Sequence, residues 1–183
     1  MRVISGSARS IPLLSRDGLD TRPTADRVKE AIFSAIQFEV EGRRVLDLFA
    51  GSGQMAIEAL SRGAAEAVLV DQSKESISII RQNLNKTRLA DRARVVCSDY
   101  MEYLSRTKER FDLIFLDPPY GEKFLENALK RISEIDILKS GGIIVCERPA
   151  DKALPDDYNA FRRVRDYRYG RTGVTLYRAE SPS

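Results

Sequence analysis

From Arg44 onward, short apolar runs alternate with helix-periodic segments, and that alternation limits the fold more than any other feature of the chain. Residues 45–48, 67–71, 94–97, 113–116 and 142–147 read as strands, with helices expected over about 54–62, 75–85, 101–104 and 123–135. Strands separated by helices pair in parallel, because each crossover returns the chain to the same end of the sheet, and the helices then cover both faces. Two last runs, 161–169 and 174–178, joined around Gly170 and Gly173, predict a β-hairpin on one edge. The expected architecture is therefore α/β and Rossmann-like, with a seven-stranded, mostly parallel sheet. Residues 1–43 read as an N-terminal extension: a short strand pair around Gly6, a polar loop over 15–24, and a helix from Pro23 to about Phe38 whose buried face is Val28, Ile32, Phe33 and Ile36. At 183 residues the whole chain, 1–183, fits one domain with its core over 44–178.

Composition excludes several chemistries. There is no histidine, which removes imidazole triads, imidazole metal sites and imidazole proton shuttles. Cys97 and Cys146 sit far apart inside apolar runs, a pattern of buried reduced thiols rather than of a metal knuckle, so no metal is expected. No uncharged apolar run approaches the roughly 18 residues of a membrane span, and the first residues lack the apolar core of a signal peptide. A cytoplasmic monomer with no membrane partner is the expectation. The net charge is only +3, but Arg162, Arg163, Arg165, Arg168, Arg171 and Arg178 crowd the C-terminal end. That crowding reads either as a phosphate-binding patch, with Arg168 and Arg171 as RNA contacts, or as a solvated hairpin face.

Two loops carry the chemistry. Asp47, Leu48, Phe49, Ala50, Gly51, Ser52 and Gly53 stand where the first core strand hands over to a helix, the place where open α/β sheets bind ligands. Glycines there allow close backbone approach, and helix-start amides favour polar or anionic groups. Eighteen residues past Gly53 the second strand ends in Asp71, followed by Gln72, and its carboxylate can accept both hydroxyls of a ribose. Gly51, Gly53 and Ala56 also satisfy a dinucleotide fingerprint, so a nicotinamide dehydrogenase is the rival. Against it, Asp47 at the strand exit suits an ammonium group and would repel a pyrophosphate.

The second loop is Asp117, Pro118, Pro119, Tyr120, Gly121, directly after the apolar strand 113–116. It resembles the [DNS]-P-P-[YFW] loop of the amino-methyltransferases, and the glycine loop matches their S-adenosylmethionine loop. An exocyclic amine on a base is a poor nucleophile because its lone pair is delocalised into the ring. Asp117 and the Pro118 carbonyl can accept its protons and aim the lone pair, the prolines stiffen the loop, and Tyr120 offers a face for an unstacked base. The bland alternative is a tight turn after a buried strand. Ser98 and Asp99 at the third strand's end either contact the adenine or cap the helix before Met101. Arg22, Thr24 and Arg27 either face the methionine carboxylate or RNA phosphate, or simply open the N-terminal helix.

RPTADRVKEAIF at 22–33, LDLFAGSG at 46–53, IEALSRGA at 57–64, LIFLDPPYG at 113–121 and the closing YGRTGVTLY together resemble the bacterial 16S ribosomal RNA guanine-N2 methyltransferases of the D type, over nearly the whole chain. The resemblance implies a class I methyltransferase fold, S-adenosylmethionine as donor, and 16S rRNA as substrate, within a small ribosomal subunit or an assembly intermediate. It carries cofactor roles onto Asp47, Gly51, Gly53, Asp71, Ser98 and Asp99, and the catalytic role onto Asp117, Pro118, Pro119 and Tyr120; Glu58 also fits the family pattern. Ala56 replaces a frequent family glycine, and the first 14 residues lack the usual lysines. The alternatives are an adenine-N6 or other guanine-N2 nucleic-acid methyltransferase and, in another class, a catalytically silent RNA-binding assembly factor.

Overall fold

The computed structural model of the protein describes residues 1–16 and 23–180. Seven strands form one sheet: β1 (Arg44–Asp47), β2 (Glu66–Asp71), β3 (Ala93–Cys97), β4 (Phe111–Leu116), β5 (Leu138–Pro149), β6 (Phe161–Tyr169) and β7 (Thr172–Ala179). Their order is β3-β2-β1-β4-β5-β7-β6. The first five strands pair in parallel, and the β6–β7 hairpin is antiparallel on β5, as the alternation predicts. Five helices accompany them: α1 (Pro23–Ala35), α2 (Gln54–Ser61), α3 (Lys74–Thr87), α4 (Tyr100–Arg106) and α5 (Phe124–Glu134). The chain winds outward from β1 to β3 and then returns to β4, so the order reverses between β1 and β4. A crevice opens at such a reversal, above the carboxyl ends of the strands. No helix among the described residues is long and apolar enough to cross a membrane.

The two-residue period of a strand splits the core into two layers. Val45, Leu69, Leu113, Phe115 and Val145 pack with side chains of α1, α2 and α3 on one face. Leu46, Val68, Val70, Ile114, Leu116 and Ile144 pack with Leu104, Leu129 and Ile132 of α4 and α5 on the other. Continuing the first layer by two residues brings Asp47, Asp71, Asp117 and Glu147 to the strand ends in one row. The fold thus lines up four carboxylates at the strand ends, of which Asp71 and Asp117 line the crevice.

Three local expectations fail. Around Gly6 there is no strand pair, only one isolated bridge between Arg2 and Pro12. Val3 and Leu13 N–H still donate across the segment to the Ile11 and Met1 carbonyls, but the donors between them go to α2: Ile4 and Ser5 N–H donate to Glu58, Ala8 N–H to Ser61 Oγ, and Ser7 N–H to the Ser61 carbonyl. Gly6 is bound to that contact. Its φ is +89°, and a Cβ there would lie 1.8 Å from the Ser61 oxygen. Helix α1 stops at Ala35, and Phe38 is 88% exposed beyond it. Cys146 is buried but Cys97, at the end of edge strand β3, is exposed, because no further strand covers that side.

Candidate active site

The crevice is a cleft of about 680 Å³, walled by the loops after β1, β2, β3 and β4 and rimmed by Met1, Ser15 and Arg16. The β1–α2 loop forms its floor. Gly53, at φ +84°, lets the chain turn into α2, where an added Cβ would press on Leu69 at 3.1 Å. Asp71 fixes this loop by accepting from Gly51 N–H at 2.9 Å, while its other oxygen accepts from Ser73 N–H at 2.9 Å. Each oxygen keeps a lone pair toward the cleft, enough for a pair of ribose hydroxyls.

Phe49, Gly51, Asp71, Gln72, Ser98, Asp99, Asp117, Pro118, Pro119 and Tyr120 all line this one cleft. Asp47, Ala50 and Gly53 lie below its floor; Asp47 is 2% exposed and accepts from Ala56 N–H at 3.3 Å. Burial, with the nearby charges of Asp117 and Asp71, pushes its carboxyl up to about 7 despite that hydrogen bond. Asp99 caps α4, one oxygen accepting from Met101 and Glu102 N–H at 2.9 and 3.1 Å. Arg27, Arg168 and Arg171 are exposed outside the cleft. Arg22 and the side chain of Thr24 lie outside the described residues.

Two features escape sequence reasoning. Tyr100 and Phe124 join Phe49 as an aromatic wall, with centroid separations of 4.9 Å from Phe49 to Tyr100 and 5.7 Å from Tyr100 to Phe124. A planar heterocycle fits against such a wall. The second is Glu147. Leu116 on β4 is in register with Cys146 on β5, so the next residues, Asp117 and Glu147, are neighbours, and their carboxyls are hydrogen-bonded to each other. Burial, with the Asp117 charge beside it, holds Glu147 well above the usual carboxylate range. Burial raises Asp117 only to about 6, because Glu147 donates to it. Glu147 is the more strongly raised of the two, so within the pair Asp117 is the stronger acid and the better placed to act as acceptor. A glutamate two residues from the end of a twelve-residue strand gives no sign of this, since only the register brings it to Asp117.

The chain is 41% identical to a Bacillus subtilis protein named "Putative rRNA methyltransferase YlbH", with 97% of this chain and 98% of the relative aligned. It is 32% identical to "Ribosomal RNA small subunit methyltransferase D" of Escherichia coli, across 99% of this chain and 91% of the relative. A solved Escherichia coli structure, "Putative methyltransferase yhhF", matches with a TM-score of 0.89 at 32% identity, covering 100% of this chain and 99% of that one. Sheet order, the cleft at the reversal point and the two loops define a class I methyltransferase. Within that class, the chain belongs to the family described as conserved hypothetical protein 95, whose model matches residues 1–178.

Proposed function

We propose that the protein transfers the methyl group of S-adenosylmethionine to the exocyclic N2 amino group of a guanine in 16S ribosomal RNA, acting as a cytoplasmic monomer on a small ribosomal subunit or an assembly intermediate. The observation that carries the reading is that Asp71, suited to a ribose at the end of β2, and Asp117, suited to an amine just past β4, line one cleft. Relatives at 31% and 32% identity that carry the name ribosomal RNA small subunit methyltransferase D support the substrate.

The residues fit a cationic cofactor. Asp47, Asp117 and Glu147 are all raised by burial with no basic side chain among the causes, so the row of strand-end carboxylates favours a positively charged ligand. S-adenosylmethionine, when bound, supplies an electrophilic methyl on a cationic sulfur. Asp71 would hold the ribose and the wall of Phe49, Tyr100 and Phe124 the adenine. Asp117 and the Pro118 carbonyl accept the two amino hydrogens and direct the nitrogen lone pair toward the methyl. As the new N–C bond forms, positive charge develops on nitrogen beside the Asp117 carboxylate, which then takes the departing proton. Tyr120, 58% exposed at the mouth, gives the extruded base a stacking face.

The test is methyl transfer from labelled S-adenosylmethionine to undermodified small-subunit particles and to free 16S RNA, with the product nucleoside identified by mass spectrometry. N2-methylguanosine is expected; N6-methyladenine would keep the loop chemistry and replace the substrate. Asp71→Ala is expected to weaken cofactor binding by roughly 10- to 100-fold, read by calorimetry, since it removes both the ribose acceptor and the brace on Gly51. Turnover at saturating cofactor should stay within a few-fold of wild type.

The carboxyl pair predicts a bell-shaped rate. Asp117 must be ionised to accept, so turnover rises as pH climbs through about 6. It falls again when Glu147 loses its proton, at a pH well above the ordinary glutamate range. Glu147→Gln keeps a donor to Asp117 but cannot ionise. Its kcat profile should retain the acid limb and lose the alkaline one; an unchanged bell would remove Glu147 from the reaction.

A further inference from the structure

The sheet continues past the active site into the β6–β7 hairpin, and the register shows what lies there. Glu147 of β5 pairs with Val174 of β7, and Val174 pairs with Tyr167 of β6. Two strand spacings, about 10 Å, therefore separate the carboxyl pair from Tyr167. A second link runs through the catalytic loop: the Tyr120 side chain lies toward Thr172, and Thr172 pairs with Tyr169.

Tyr167 and Tyr169 stand two residues apart on one face of β6, half-buried against the core layer, with ring centroids 6.1 Å apart and planes within 21°. Arg165 lies in line with them and donates from its guanidinium to the Tyr167 hydroxyl at 3.3 Å. Strand β6 is the outermost strand, and beyond Arg163, where its start pairs with residues 156–158, its far edge bears no partner strand among the described residues.

Charge divides the hairpin arginines into two groups. Arg162 faces Asp157 and Glu180, Arg163 faces Asp156 and Asp166, and Arg178 faces Glu39. Arg165, Arg168 and Arg171 have no acidic partner among the described residues; Arg168 donates only to the Gly170 carbonyl. Arg165 and the turn residue Arg171 thus flank the two aromatic rings, next to the site where a base must be presented, while Arg168, between the tyrosines in sequence, projects from the opposite face of the strand.

We propose that β6 and the β6–β7 turn form a track for single-stranded RNA flanking the target nucleotide, with bases stacked on Tyr167 and Tyr169 and phosphates paired to Arg165 and Arg171. The proposal rests on the RNA-methyltransferase reading above. Aromatic side chains spaced along a strand, with cations at their margins, recognise unpaired bases and their backbone. A duplex hides its base faces and would leave the tyrosines unused. Lining the track beside Asp117 would hold the neighbours of the target base while that base leaves its stack.

Binding of a fluorescein-labelled single-stranded RNA dodecamer, followed by anisotropy against salt concentration, tests the track without methyl transfer. Tyr167→Leu/Tyr169→Leu preserves apolar packing and should weaken binding by at least tenfold. Replacing Arg165 and Arg171 by Gln should weaken it at least tenfold and flatten the log–log salt slope by about 1.4, since each single-strand phosphate contact contributes about 0.7. Cofactor affinity should be unchanged in both variants, showing an intact fold. Wild-type RNA affinity and salt slope in both variants, or tighter binding of wild type to a duplex of the same length, would overturn the track. If wild type methylates no RNA while the variants still lose dodecamer affinity, the enzymatic reading falls and the track stands.

Discussion

Asp117→Ala is expected to lower methyl transfer to RNA by roughly 10²- to 10⁴-fold while cofactor affinity stays within about fivefold of wild type. The size follows from the number of tasks one side chain performs. Its carboxylate positions the amine, faces the charge that develops on nitrogen, and receives the proton, and its neighbour Glu147 is the weaker acid of the pair. Cofactor binding is spared because the ribose acceptor is Asp71 and the aromatic wall is formed by Phe49, Tyr100 and Phe124. Asp117→Asn should fall between the two: its amide oxygen still accepts one amino hydrogen but cannot take up a proton. Single-turnover rates with saturating RNA, alongside calorimetric cofactor titration, separate the two effects. Turnover of Asp117→Ala within tenfold of wild type would show that the Pro118 carbonyl and proximity alone drive the reaction, and the mechanism would fail.

How far the sequence displays this site depends on how local each feature is. The Asp117–Tyr120 loop is four consecutive residues after an apolar strand, and the glycine loop is equally compact, so both are readable in one dimension. The sheet is readable because strand and helix periods alternate. Glu147 is different: it becomes functional only because β5 lies beside β4 with Cys146 opposite Leu116. Tyr100 and Phe124 belong to separate helices that meet above the cleft. The N-terminal segment shows the same limit. Its apolar spacing suits a hairpin, but its amides are taken by Glu58 and Ser61, more than 50 positions away. Asp99 marks a further boundary, since one carboxylate oxygen caps α4 while the residue still lines the cleft, and both readings of that position hold at once.

Glu58→Ala is expected to destabilise the protein by roughly 3–5 kcal/mol, the cost of breaking a buried ion pair by removing one partner. Glu58 is fully buried on α2 and its two oxygens serve three elements. They accept from Ile4 N–H at 2.8 Å, Ser5 N–H at 3.1 Å and Arg62 Nε at 2.9 Å, and they face Lys29 Nζ at 3.6 Å. Lys29 is itself 1% exposed and donates to the Arg2 carbonyl at 2.5 Å. Burial lowers its pKa even with Glu58 and Asp26 nearby, so the ammonium depends on the glutamate for compensation. Alanine removes the nearer of the two carboxylates facing that ammonium and leaves two amides without their acceptor. For a domain of this size the melting temperature should drop by roughly 6–20 °C. Glu58→Gln, which keeps one acceptor oxygen, should cost less. Lys29→Met combined with Glu58→Gln should regain part of the loss, since removing both charges of a buried pair is far cheaper than stranding one. If the double variant were as unstable as the sum of the singles, Glu58 would act only through the amides of Ile4 and Ser5. The consequence reaches the active site, because the segment that Glu58 anchors begins with Met1 and ends at Ser15 and Arg16, which rim the cofactor cleft. Cofactor affinity should therefore fall in Glu58→Ala even at temperatures where the protein remains folded, whereas Asp117→Ala leaves it intact, so a residue without access to the cleft governs its rim through the chain it holds in place.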